Sequence, residues 1–131
     1  MCLARVVTTS DLPASVVAYK ILRERPRTME LGDLYTPVRY EPLHPVNWNV
    51  AACANQLRAE DDSGMYEAGF HAYQRLEDAA RSSWSGSVYE VELRGLTASG
   101  LGDGTTHGEK TPQWVAREMR VLRRLLPEVL L

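Results

Sequence analysis

The residues best suited to acid–base chemistry lie in the middle of the chain. His71 follows the only Phe, in the stretch Gly69-Phe70-His71-Ala72, and Glu90 and Glu92 alternate along a predicted strand. Alternate strand residues share a face about 7 Å apart at the backbone. Such a histidine can act as a base or as a hydrogen-bond donor to substrate, and paired carboxylates can divide acid and base roles. The alternatives are a partly buried histidine bonded to backbone and a solvated strand face.

A second group of residues suits binding rather than catalysis. Each of the three tryptophans lies in or beside a predicted turn or loop, and arginines concentrate near both ends of the chain. An exposed Trp beside a loop marks a binding hot spot, whereas core packing is the usual role of Trp. The candidates for contact with a partner are Trp48, Trp84, Trp114, Arg117 and Arg120. If the termini fold together, their arginines could form a stripe for nucleic acid.

Metal and nucleotide motifs are weak. His44, His71 and His107 do not have a ligand spacing, and Cys2 and Cys53 form no CxxC pair, so we predict no metal site. In the glycine-rich segment 102–111 a Glu separates the last Gly from Lys, which departs from a phosphate-binding loop. We therefore predict no resident cofactor from these motifs.

Composition is that of an ordinary globular domain. The chain has 131 residues, 44% hydrophobic and 24% charged, with a formal net charge of −2. This length suits one domain, residues 1–131, and the charge argues against a dedicated nucleic-acid coat. The sequence shows no signal peptide and no run of eighteen apolar residues, so we expect a cytoplasmic protein with no membrane contact. Two cysteines are expected to stay reduced.

Periodicity predicts the elements that must position these residues. One strand is expected at 15–23 and a second directly after Gly69. A third is expected at 88–94, where Tyr89, Val91 and Leu93 share one face. Short helices are expected at about 50–58, capped by Asn49, and at 74–82. Residues 1–14 are either an edge strand or a loosely ordered lead-in. Residues 95–112 hold five glycines and are predicted to be a flexible loop.

The C-terminal stretch fits either a helix or a strand. Val115, Met119, Leu122 and Leu126 lie at helical spacing, and periodicity alone favours the helix. The segment after Arg124 is apolar and either packs back on the domain or forms a contact between copies of the chain.

Several motifs resemble small uncharacterised domains of phages and prophages. The order is GFHA at 69–72, an alanine-bearing helix, VYEVE at 88–92, a variable loop and VAREMRVLR at 115–123, and Tyr19-Lys20-Ile21-Leu22 resembles their opening strand. The resemblance covers roughly residues 17–124. It implies that the last segment is a strand, so that 88–95 forms a hairpin with about 113–122.

A more distant resemblance is to the ADP-ribosyltransferase architecture, in which a similar strand, short helix and VYxVEV strand follow one another. It implies an enzyme that uses NAD, with Lys20 at the first-strand position and Glu90 or Glu92 polarising the reaction. Tyr19 and Tyr73 would then contact the cofactor. Lys20 stands where that family has Arg or His, and no Ser-Thr-Ser or Gln-x-Glu element is present.

The sequence therefore predicts an α+β domain, a twisted, mostly antiparallel sheet with about two short helices. The leading hypothesis is a phage- or prophage-type accessory protein that binds a macromolecular partner, such as a host or defence protein. The alternatives are an ADP-ribosyltransferase-like enzyme with His71, Glu90, Glu92 and Lys20 in one cleft, and a nucleic-acid-binding module.

Overall fold

The computed structural model describes residues 3–25, 30–32, 42–43, 46–51, 55–81, 86–103 and 109–125. Within these residues the chain forms ten strands and one helix, α1 (Leu76–Ala80). The strands are β1 (Arg5–Thr8), β2 (Ser15–Arg25), β3 (Glu30–Gly32), β4 (Pro42–Leu43), β5 (Asn49–Val50), β6 (Gln56–Arg58), β7 (Met65–Glu67), β8 (Phe70–Tyr73), β9 (Ser87–Asp103) and β10 (Lys110–Arg124).

The antiparallel pair β9–β10 is the centre of the fold. Along β9, Tyr89, Val91 and Leu93 are buried, whereas Glu90 and Glu92 between them are partly exposed. This alternation is the expected result of placing one face of a strand on a core and the other in water.

The strands close into a ring. The main sheet runs in the order β1-β9-β10-β8-β2-β3-β4, with β5 added beside β10 and a further pairing of β2 with β9. All these pairings are antiparallel, and β8 meets β2 at the single pair Tyr73 and Tyr19. Strands β2, β9, β10 and β8 therefore form a closed circuit, while β6 and β7 form a separate hairpin.

The largest hydrophobic cluster, which we call the inner cluster, draws residues from all four strands of this circuit. Its members include Ala18, Leu22, Phe70, Ala72, Tyr89, Val91, Leu93, Ala116, Met119 and Val121. A second cluster lies beneath α1, where Ala79 packs with Ile21 and Val88. A third cluster packs Leu3 and Tyr66 against Ala98 and Val115. The charged residues Glu90, Glu92 and Arg94 of β9 and Glu118 and Arg120 of β10 are partly or largely exposed.

Two irregularities set the register of the central pair. Val115 faces Ala98 but Ala116 faces Leu96, so β9 has one extra residue there. Val121 faces Val91 but Arg123 faces Glu90, so β10 has one extra residue at Leu122. Such bulges bend a strand and increase its twist, which a closed circuit requires.

The structure confirms the mostly antiparallel sheet, with one helix among the described residues where two were expected. The predicted helix at 50–58 is wrong, because Asn49 and Val50 pair with β10 and Gln56–Arg58 pairs with β7. The predicted loop at 95–112 is wrong at both ends, because β9 continues to Asp103 and β10 begins at Lys110. The predicted strand at 15–23 and the hairpin of 88–95 with 113–122 are confirmed, and the C-terminal helix alternative is wrong.

In the part of the chain that is described, no helix has the length and apolar character needed to cross a membrane.

Candidate functional site

His71 is part of a buried hydrogen-bond chain beneath β1. Its side chain lies on the face of β8 opposite to that of its neighbour Phe70, and the residue is 5% exposed. Nδ1 lies 3.2 Å from the Gly69 carbonyl oxygen, and Nε2 lies 3.1 Å from the Tyr66 hydroxyl. A carbonyl can only accept, so Nδ1 carries the proton and Nε2 accepts from Tyr66. The same hydroxyl accepts from the Leu3 amide at 2.7 Å.

This environment fixes the charge of His71. Burial lowers the pKa of His71 from 6.5 to about 3, and the positive charge of Lys20 acts in the same direction. The histidine is therefore neutral near neutral pH, and both its ring nitrogens are engaged. Its geometry serves the attachment of the N-terminal strand rather than proton exchange with a substrate.

Of the other residues proposed for NAD chemistry, Lys20 and Tyr73 are buried and Tyr19 is partly buried. Lys20 is 5% exposed, and its ammonium donates to the carbonyl oxygen of His71. Tyr73 is buried in the cluster beneath α1, and Tyr19 packs against the same cluster. Lys20 and His71 are thus neighbours through the backbone, and the two tyrosines form a cross-strand pair.

Glu90 and Glu92 belong to a row of ion pairs, which we call the charge ladder: Arg94–Glu118, Glu92–Arg120 and Glu90–Arg123. The guanidinium of Arg94 donates two bonds to Glu118, at 2.9 and 3.0 Å. Arg120 pairs with Glu92, and Arg123 lies 3.4 Å from Glu90. The hydrogen bond from Arg94 lowers the pKa of Glu118. Each ladder carboxylate is therefore matched by an arginine on the neighbouring strand.

Trp48 lies on this ladder. The guanidinium carbon of Arg94 is 3.9 Å from the centre of the indole, and that of Arg120 is 5.0 Å from it. These are cation–π distances. Among the described residues, the Nε of Arg120 is the one buried side-chain polar atom without a hydrogen-bond partner. Trp48 thus contacts one arginine from β9 and one from β10.

Two exposed valines flank the ladder. Val17 on β2 faces Glu92 across the strand pair and is 51% exposed. Val50 on β5 faces Glu118 on the other side and is 64% exposed. Directly opposed residues of an antiparallel pair share a face. Trp48, Val17, Val50 and the charge ladder therefore form one surface, which we call the Trp48 face.

The remaining candidates for partner binding have different positions. Arg117 donates to the carbonyl oxygens of Ala68 at 2.9 Å and Ala51 at 3.1 Å, and its Nε is 3.1 Å from a carboxylate oxygen of Glu67. Arg117 therefore ties two segments to β10. Trp114 is half-buried against the inner cluster. Trp84 lies outside the described residues.

The structure does not bring His71 and Glu92 together. His71 on β8 pairs with Val115 of β10, and Glu92 on β9 pairs with Arg120 at the other edge of β10. Val115 and Arg120 are five residues apart, which corresponds to roughly 17 Å along a strand. The buried histidine and the ladder carboxylates thus occupy separate sites.

Two further features concern ligands. Within the described ranges, no group of three or more His, Cys, Asp or Glu is placed to hold a metal ion. A cleft of about 360 Å³ opens beside β1 and is lined by Ala4, Arg5, Asp61, Leu101 and Lys110. Its Arg5 guanidinium is bonded to Asp61 at 2.7 Å, and that bond lowers the pKa of Asp61 to about 2.

Sequence reasoning selected Trp48, Arg120, Glu90 and Glu92 but missed Val17 and Val50 and the pairing that unites them. The alternating charges on the two strands were a usable signal for the ladder. The cross-strand partners, however, depend on the bulge at Leu122, which no pattern in the sequence marks. Comparison of the chain with family models, with curated proteins and with solved structures finds no match.

Proposed function

We propose that this chain is an accessory protein of the phage or prophage type that binds another protein through the Trp48 face. The observation that carries the proposal is the position of Trp48, stacked on Arg94 and Arg120 between two exposed valines. Tryptophan and arginine are the residues most enriched among binding hot spots. The resemblance to phage domains supports the accessory role.

The ion pairs prepare this surface for binding. Arg94 is held by two hydrogen bonds to Glu118, and Arg120 is held by Glu92. Side chains that are already held in place lose little conformational freedom when a partner arrives, so less of the binding energy is spent on ordering them. The Trp48 face is thus a pre-organised surface of mixed apolar and charged character.

The same pairs favour a protein over a nucleic acid. Phosphate binding depends on unneutralised Lys and Arg, whose contacts release counterions. In the ladder each of the three arginines faces a glutamate, so the rows carry no net positive charge. The burial of His71 and Lys20 and the separation of His71 from Glu92 likewise support binding over NAD chemistry.

Site-specific photo-cross-linking tests the proposal. A photoreactive phenylalanine at Val50, 64% exposed, is compared with one at Val7, 62% exposed and on β1. In extract of the producing cells, we expect a discrete cross-linked protein from position 50 and none from position 7. Trp48→Ala, checked for folding by circular dichroism, should abolish the position 50 product.

Equal products from the two positions, or a product unaffected by Trp48→Ala, would contradict the proposal. Calorimetric titration with NAD distinguishes the enzyme alternative. Millimolar NAD is expected to give no binding heat. A saturable heat that Glu92→Gln removes would instead favour the ADP-ribosyltransferase-like enzyme.

A further inference from the structure

We propose that a second copy of this chain is a partner of the Trp48 face, an inference that rests on the proposed binding role of that face. The reason lies in the order of charges along β9 and β10. On β9 the ladder reads Arg94, Glu92, Glu90, and on β10 it reads Glu118, Arg120, Arg123. One strand therefore carries the sequence plus, minus, minus, and the other carries minus, plus, plus.

This pattern is its own complement. A two-fold dimer contacts the same patch on both copies. Consider a two-fold axis that lies in the plane of the interface, parallel to the strands and midway between β9 and β10. This axis lays β9 of one copy over β10 of the other. Each ladder arginine then meets a glutamate of the second copy, row by row. An axis perpendicular to the strands would instead place Glu92 against its own counterpart, and like charges in contact are unfavourable.

The apolar residues follow the same symmetry. Strand β2 adjoins β9 and β5 adjoins β10, so the parallel axis lays Val17 of one copy over the β5 side of the other, where Val50 is exposed. Trp48 contacts one arginine from each strand, at 3.9 and 5.0 Å, and so lies near the axis. The two indoles would meet at the centre of the interface, where binding energy is usually concentrated.

Sedimentation equilibrium over a dilution series at low ionic strength tests the dimer. We expect a reversible dimer that salt weakens, because screening reduces contacts between exposed charges. Arg123→Glu places like charges at both contacts of the Glu90–Arg123 row and should raise the dimer dissociation constant about tenfold or more. Arg58→Glu is the matched control, because Arg58 is 68% exposed and 3.6 Å from Asp62, against 67% and 3.4 Å for Arg123 and Glu90.

Exchanging the two charges of the Glu90–Arg123 pair gives a sharper test. The double variant Glu90→Arg with Arg123→Glu retains an ion pair within each copy and remains complementary to itself. It should form a dimer about as tight as that of the natural chain and should not mix with it, because a mixed pair brings like charges together. Differently tagged copies, co-purified after mixing, measure this exclusion.

A natural chain that is monomeric at every concentration would overturn the inference. So would a dimer that Arg123→Glu and Arg58→Glu affect equally, or free mixing of the double variant with the natural chain. If the chain is monomeric but the product from position 50 persists, only the inference of a second copy fails. If that product is also absent, the proposed function fails with it.

Discussion

The hydroxyl oxygen of Tyr66 lies 3.1 Å from Nε2 of His71 and 2.7 Å from the amide nitrogen of Leu3. One phenol thus joins β8, in the ring, to the residues that lead into β1. Leu3, Tyr66 and His71 are all buried, so water cannot replace either bond.

Removal of this hydroxyl should cost stability. Tyr66→Phe leaves a buried amide and a buried ring nitrogen unpaired, and we expect a loss of about 1–3 kcal/mol in the free energy of unfolding. Urea denaturation measures it. Tyr19→Phe is the control, since Tyr19 packs by its ring against the cluster beneath α1. The control should change stability by less than about 0.5 kcal/mol, and equal losses for the two variants would contradict the role given to the Tyr66 hydroxyl.

Acid should destabilise the fold through His71. Its pKa is about 3 in the folded chain against 6.5 for an unperturbed histidine, so between these values the unfolded chain binds the extra proton. Stability is therefore greatest above pH 6.5 and falls as the pH is lowered, by up to about 1.4 kcal/mol per pH unit. Chemical denaturation between pH 6.5 and 5 measures this slope. Below about pH 5 the lowered pKa values of Glu118 and Asp61 add to the loss, because their ordinary values are 4.5 and 3.8.

The variant His71→Gln isolates the effect. Glutamine does not titrate, so the slope between pH 6.5 and 5 should become nearly flat, whatever the stability at neutral pH. An unchanged slope in this variant would show that another group is responsible.

Gly69 should tolerate no side chain. A Cβ at this position would lie 2.2 Å from the carbonyl oxygen of Ala116, on a paired strand that cannot retreat without breaking its ladder. We expect Gly69→Ala to lower the free energy of unfolding by at least about 2 kcal/mol. Gly64→Ala, whose Cβ would meet Val6 at 3.7 Å, is the control and should be nearly neutral in thermal unfolding.

Arg117 should not be replaceable by lysine. Its guanidinium contacts the carbonyl oxygens of Ala68 and Ala51 and the carboxylate of Glu67 at once, which a single ammonium cannot reproduce. We expect Arg117→Lys to cost about 1–3 kcal/mol and to speed amide hydrogen exchange at Ala51 and Ala68. Arg123→Lys, at an exposed arginine, should leave both unchanged. Unaltered exchange in Arg117→Lys would contradict the tie between these segments.

The amphipathic part of β9 could be read from the sequence, but its continuation could not. Alternation of Tyr89, Val91 and Leu93 with charged residues predicted a strand there, and the structure confirms it. Beyond Arg94 the glycines favoured a loop. At Gly100, however, a Cβ would lie 2.3 Å from the carbonyl oxygen of Arg5, so this glycine permits the close approach of β1. The sequence alone does not distinguish a glycine at a tight contact between strands from a glycine in a turn.

The predicted helix at 50–58 failed for a related reason. Spacing placed Val50 on a buried stripe, yet Val50 is 64% exposed, because it pairs with Glu118 on the face of the charge ladder. Its neighbour Asn49 pairs with Met119 and donates a side-chain bond to the Met119 carbonyl. Contacts of this kind join residues 70 positions apart. The candidate site shows the same division, because its charged residues were visible while its register was not.

The closed circuit of strands also governs when the fold can form during synthesis. Strand β2 depends on β9 and β8 depends on β10, so the strands made early wait for partners near residues 87–94 and 113–116. The β2–β9 pair can form earlier, but the ring cannot close until β10 has left the ribosome. Long-range pairing of this kind folds slowly and leaves apolar strands uncovered meanwhile. We therefore expect chaperones that shield exposed strands to bind the newly made chain.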